Sequence, residues 1–231
     1  MEAPKFVIDH ILPVGLTLFT GKPKTGVSWL ALEYAYAVAF GGTALGRYRA
    51  QIQGGVLYIS TSAAVLQDRL HCTQDAPPPP QRMIFSPPPS KRLRFDQWLR
   101  DMLALQPHVR LVIVDTVADI LPDLPRDTFT YHTERAFADG LHRVCDDSNV
   151  SLLLLHRSRS DGTGVNGLGL GSGCDCVASL DRYPPHPRRG RNGTEGALRI
   201  TGRRVTARQI DLAWDAACTC WRIAEDVEGA A

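Results

Sequence analysis

Eight residues, Gly21-Lys22-Pro23-Lys24-Thr25-Gly26-Val27-Ser28, follow the phosphate-loop pattern G-x-x-x-x-G-K-[ST] at every place but one. Val27 stands where the lysine belongs. In an intact loop, backbone N–H groups at a helix N-terminus cradle the phosphates. The lysine adds a point charge on the β- and γ-phosphates, and the Ser or Thr hydroxyl takes Mg2+. Here the glycines and Ser28 remain and that charge does not. A second piece is Leu111-Val112-Ile113-Val114-Asp115-Thr116, an apolar run ending in a carboxylate that suits Mg2+ or its bound water. ATP and Mg2+ are therefore the expected ligands, with binding weakened or lost. No Ser-His-Asp arrangement and no metal-binding His spacing is readable, so covalent hydrolase chemistry has no support.

The loop needs a strand before it and a helix after it, and the sequence offers both. Residues 15–20 are a short apolar strand candidate, and 28–40 an apolar stretch long enough for a helix. Further strands are expected at 56–60, 82–85, 111–114 and 150–155, with helices at 63–71, 95–105 and 132–147. Continuous apolar runs such as Leu111–Val114 suit strands buried on both faces of a parallel sheet. Residues 74–90 hold seven of the 16 prolines and read as a connecting loop. Residues 162–173 hold six glycines and read as loop. Beyond them, four short strands at 177–180, 197–201, 209–214 and 220–223 form a small β-rich part over 177–224. The expected architecture is one α/β domain over residues 1–231, a mostly parallel sheet flanked by helices with antiparallel C-terminal strands.

Composition sets the bounds. The chain has 231 residues, 44% hydrophobic and 22% charged, enough for one sizeable core. No apolar run reaches the roughly 20 residues of a membrane helix, and no signal peptide is visible. Six cysteines in this setting read as reduced thiols and a cytoplasmic protein. The net charge of +2 excludes nothing, but eight arginines fall between Arg182 and Arg208.

In order and spacing, several segments together resemble the RecA-type ATPases related to plasmid replicative helicases of the RepA kind. Ile11–Gly15 and Phe19–Lys24 resemble the lead-in to the family's phosphate loop, and Ser28-Trp29-Leu30-Ala31-Leu32 the start of its first helix. Gly54–Ile59 is similar to its second core strand, and Leu66-Gln67-Asp68-Arg69-Leu70 to the helix after it. Val112–Thr116 resembles its Walker B strand, and Leu152–His156 the strand ending in its polar sensor. Asp175 with Leu180-Asp181-Arg182, and Leu198–Arg203, resemble its late strands and Gly-Arg motif. The resemblance implies a RecA-like P-loop core that oligomerises as a ring, either with itself or with a related active subunit, and handles single-stranded DNA. It implies a nucleotide site over Gly21–Trp29, a Mg2+ site at Ser28 and Asp115, and a sensor role for His156. It also implies that Arg203 is an arginine finger reaching a neighbour's γ-phosphate.

The departures matter as much. The family's lysine is Val27 here. Its Glu-Asp pair after the second strand, whose Glu positions the attacking water, is replaced by Ser60-Thr61-Ser62-Ala63-Ala64-Val65. Its second sensor His is Arg157, and its Asp after Gly-Arg is Arg204. Two losses in the catalytic set imply an ATPase fold that hydrolyses ATP poorly or not at all. The alternative is an active helicase or translocase in which Lys22 or Lys24 substitutes. Arg157 and Arg159 fall where RecA-like rings carry a DNA-contacting loop, and Arg188, Arg189 and Arg191 form a further basic group. Cys174, Cys176, Cys218 and Cys220 form two Cys-x-Cys pairs whose single-residue spacing is a poor bite for zinc, so small apolar packing is the expected role.

Overall fold

The computed structural model describes residues 5–73, 82–121, 130–157, 168–185 and 193–224. In chain order the elements are β1 (Phe6–Ile8), β2 (Leu12–Pro13), β3 (Leu16–Gly21), α1 (Val27–Phe40), β4 (Thr43–Ala44), β5 (Tyr48–Arg49), β6 (Gly55–Ser60) and α2 (Ala63–Thr73). Then follow β7 (Met83–Ser86), α3 (Phe95–Leu105), β8 (Val109–Asp115), α4 (Tyr131–Ser148), β9 (Ser151–Arg157), α5 (Leu168–Gly173), β10 (Cys176–Arg182), β11 (Glu195–Gly202), β12 (Arg208–Asp215) and β13 (Cys220–Ile223). Among the described residues, nine strands make one sheet in the order β13-β12-β11-β10-β3-β9-β8-β6-β7. From β10 to β7 every pairing is parallel; β11, β12 and β13 continue the sheet antiparallel.

Both faces of the central strands β3, β9, β8 and β6 are buried, which explains the apolar runs. Phe19, Tyr58, Ile113 and Leu153 face α1 and α2, while Leu18, Leu57, Val112 and Leu154 face α3, α4 and α5. Successive residues on a strand point to opposite faces, so a strand covered twice has no polar side. Helix α1 is apolar almost all round because it lies between the sheet, the β1–β2 and β4–β5 ribbons and β13.

One expectation needed correction. The loop expected at 162–173 ends in a helix, α5 (residues 158–167 lie outside the described residues). Its glycines serve close packing rather than turning. A Cβ on Gly169 would stand 2.4 Å from the Tyr131 carbonyl oxygen, and one on Gly173 2.4 Å from the Ala138 Cβ. Glu134 of α4 accepts hydrogen bonds from the N–H groups of Gly169 (3.0 Å) and Leu170 (3.4 Å), which caps the short helix. The strand expected at 82–85 is β7, at the edge of the sheet; residues 74–81 of the proline-rich stretch lie outside the described residues. The ribbons β1–β2 and β4–β5 were not expected at all.

Candidate functional site

The loop stands at the C-terminal end of β3, between that strand and α1. Thr25 closes it by donating from its hydroxyl (2.8 Å) and its N–H (3.2 Å) to the Lys22 carbonyl. Gly26 precedes α1 with φ of 95°, a left-handed conformation suited to glycine. A Cβ there would also meet the Trp221 indole nitrogen at 2.6 Å. Among the described residues, no side chain caps α1. Its first-turn N–H groups therefore point to the cavity mouth without a side-chain acceptor, as an anion cradle requires.

A cavity of about 620 Å³ opens against this loop. All nine residues from Gly21 to Trp29 line it, with Asp115 from the end of β8 and His156 and Arg157 from the end of β9. The sheet brings these together because β3, β9 and β8 are consecutive parallel neighbours ending on one side. Asp115 is buried, and its Oδ2 accepts from the Tyr58 hydroxyl at 3.2 Å. Burial, and then the Asp115 charge, push the Tyr58 phenol well above its ordinary value, while the Arg69 charge acts the other way. Ser28 and Asp115 line the same cavity, as a Mg2+ pair must. The glycine loop, uncapped helix terminus, hydroxyl and carboxylate thus fit a nucleotide with its metal.

Compared with an ordinary phosphate loop, the lining has a valine in place of the lysine. Val27 is half-buried and packs against the core, and its Cγ2 occupies the space a Gly21 Cβ would need. Lys22 and Lys24 line the cavity but are exposed at its rim. Ser60, Thr61 and Ser62 line the region after β6, and Asp115 is the one carboxylate among the described lining residues. Asp68 is exposed and is not part of the lining. Arg157 borders this cavity; Arg159 and the Arg188–Arg191 group lie outside the described residues.

Arg203 is not in the cavity. It follows β11 at the far end of the sheet, donates to the Cys174 carbonyl at 3.2 Å and stands 3.9 Å from Asp175. Asp175 hydrogen-bonds the N–H of Leu16, the first residue of β3, so six residues of strand separate Arg203 from the loop. The two Cys-x-Cys pairs do not meet, because β11 and β12 lie between them. Burial pushes the Cys174 and Cys176 thiols up to about 12, unlike metal-ready thiolates.

Sequence reasoning passed over Arg69, Arg182 and Trp214 as site residues. Arg69 belongs to α2, and its guanidinium lies 4.7 Å from the Trp29 ring centroid. Trp214 meets Trp29 edge-on at 6.2 Å, and Arg182 stands 5.9 Å from the Trp214 ring. The usable signal was the position of Arg69 four residues after Val65 and three after Leu66, one helical face. That signal becomes meaningful only when the face is known to look into the cavity.

A sequence profile described as an AAA domain matches residues 1–163. The chain belongs to this family. Its fold is that of RecA-like P-loop ATPases. It is similar to the solved ATPase domain of a replicative helicase at 14% identity, with a TM-score of 0.67, over 91% of this chain and 84% of that one. No curated protein sequence matches the chain. The AAA-domain fold implies a nucleotide site, and the cavity stands where the loop would form one. Among the described residues, no helix is long and apolar enough to cross a membrane.

Proposed function

We propose that the chain is a RepA-like ATPase homologue that binds a nucleoside triphosphate with Mg2+ but turns it over slowly or not at all. It acts as a nucleotide-sensing or structural component of an oligomer in DNA transactions, with residues 1–231 as one ATPase-type unit. The observation that carries the reading is the charge of the cavity. Among the described lining residues, Lys22, Lys24, Arg69, Arg157 and Arg182 face a single carboxylate, Asp115. A polyphosphate with its metal matches that excess of positive charge. The backbone cradle at Gly21–Ser28 would hold the phosphates, and Ser28 with Asp115 the Mg2+. His156 stands at the sensor position on β9.

The missing step is water activation. A general base must lie within hydrogen-bond reach of the water it deprotonates. Ser60, Thr61 and Ser62 offer hydroxyls where the related ATPases place a carboxylate. Arg203, exposed at the far end of the sheet, can act only on a neighbouring subunit, which suits a finger supplied in trans. Arg157, at the cavity mouth, and Arg159 suit phosphate contacts with single-stranded DNA rather than base reading.

The test is calorimetric titration with Mg-ATP beside a phosphate-release assay, each with and without single-stranded DNA. Saturable binding with background turnover is the expected result. Absence of nucleotide binding would overturn the proposal. Rapid turnover would favour the alternative, an active helicase or translocase.

A further inference from the structure

We infer that Arg69, delivered from α2, is the cation that holds the nucleotide's phosphates in place of the lysine missing at Val27. The inference rests on the nucleotide reading above and assigns the charge that reading requires.

Lys22, Lys24 and Arg69 could each supply a compensating charge near the loop, and the geometry ranks them. Lys22 and Lys24 are exposed at the rim, where a side chain keeps its hydration and its charge is screened. Arg69 is half-buried and reaches the cavity from α2. One contact places it. Its guanidinium lies over the ring of Trp29, two residues after Val27. Its charge also reaches Tyr58, whose hydroxyl is bonded to Asp115. Arg69 therefore borders the same cavity as the phosphate loop and Asp115, with its guanidinium beside the start of α1, where the phosphates of a bound triphosphate would lie.

Val65, Leu66 and Arg69 lie on one face of α2, all three lining the cavity. The helix thus aims the side chain inward, and the stack on Trp29 holds its plane. A guanidinium so held loses little freedom on meeting a phosphate and can offer two parallel N–H donors. Val27 meanwhile fills the place from which a lysine would rise, packing against the core.

The experiment is calorimetry of Mg-ATP and AMP against the wild-type chain and five variants: Arg69→Ala, Arg69→Met, the pair Lys22→Ala with Lys24→Ala, Val27→Lys, and Val27→Lys combined with Arg69→Ala. Loss of one charge-assisted contact weakens binding about 10- to 150-fold. Arg69→Ala and Arg69→Met are expected to lose Mg-ATP affinity in that range and AMP affinity much less. Arg69→Met keeps an apolar stem over Trp29, so it reads the charge even if Arg69→Ala disturbs packing; circular dichroism melts check the fold. The lysine pair is expected to change Mg-ATP affinity by less than about threefold. Val27→Lys is expected to restore most of the affinity lost in Arg69→Ala while adding less to the wild type. Two results overturn the assignment while leaving the nucleotide site intact: Arg69 variants that bind Mg-ATP like the wild type, or variants that lose AMP as severely as ATP. A wild-type chain that binds no nucleotide overturns the proposed function itself.

Discussion

Strand β3 carries a group of charged side chains at each end, and the two groups are built in opposite ways. At Leu16, one buried carboxylate is surrounded. Asp175, 4% exposed, accepts from the Leu16 N–H (3.0 Å), pairs with His142 (2.9 Å) and Arg204 (3.1 Å), and lies 3.9 Å from Arg203. At Gly21 the proportion is reversed: among the described lining residues, several cations border an open cavity with one carboxylate. The first group completes itself within the chain and ties β3 to β10, β11 and α4. The second counts more cations than carboxylates among its described lining residues, and it surrounds space. A cluster that closes on itself serves the fold, whereas one left in surplus around a cavity serves a ligand.

The largest expected effect lies at the closed end. Asp175→Ala strands the Leu16 N–H and leaves His142 and Arg204 facing a void, so unfolding in urea should show a loss of about 3–5 kcal/mol. A loss below about 1 kcal/mol would mean that the closed cluster does not hold the strand.

A buried carboxylate without such company should behave differently. Glu33 accepts from the Leu45 N–H at 2.6 Å, but its Oε2 is buried with no hydrogen-bond partner among the described residues. Burial raises its pKa from 4.5 to about 7, against the pull of the Leu45 bond and the Arg222 charge. Between those values the folded protein keeps a proton that the unfolded chain releases. The contribution is therefore full below pH 4.5 and is lost as pH rises to about 7. It amounts to at most about 3 kcal/mol. Glu33→Gln removes it, so the difference in stability between variant and wild type should change over that window and be flat above it. A difference curve flat throughout would show that Glu33 is solvated.

At the open end, Gly26→Ala should cost about 1–3 kcal/mol, from the left-handed backbone and the contact with Trp221. It should also abolish Mg-ATP heats in calorimetry; retained binding would show that the loop cradle is not the phosphate site. The smallest effect is expected from Arg203→Ala. Its side chain is 61% exposed and only skirts the closed cluster, so subunit stability should stay within about 0.5 kcal/mol. Nucleotide binding by the isolated subunit should be unchanged as well. A marked loss in either measurement would make Arg203 part of its own subunit's framework rather than a group held for a neighbour.

Much of the frame was legible because its causes are local. The strand–loop–helix around Gly21–Ser28, the apolar run ending at Asp115 and the helix at 95–105 each follow from periodicity over a few residues. The glycines of 168–173 misled because a glycine has two uses, turning the chain and letting a helix come close. Only the presence of Tyr131 and Ala138 opposite decides between them. The ribbons β1–β2 and β4–β5 were too short to show alternation. Arg69 and Trp214 were invisible as site residues for a different reason. Each is ordinary in its own segment and gains meaning only from a wall supplied by a distant one.

The position of β3 also has a consequence for how the protein is made. Its partners are β9, whose first paired residue lies 136 positions downstream of Leu16, and β10, later still. Trp221, which stands against the phosphate loop, comes almost at the end of the described chain. A ribosome releases residues 16–21 early, yet their strand finds no neighbour until most of the polypeptide has emerged. Pairings of such long range fold slowly. For much of synthesis this apolar segment waits exposed, and its shelter in the cell depends on whatever binds nascent hydrophobic chain.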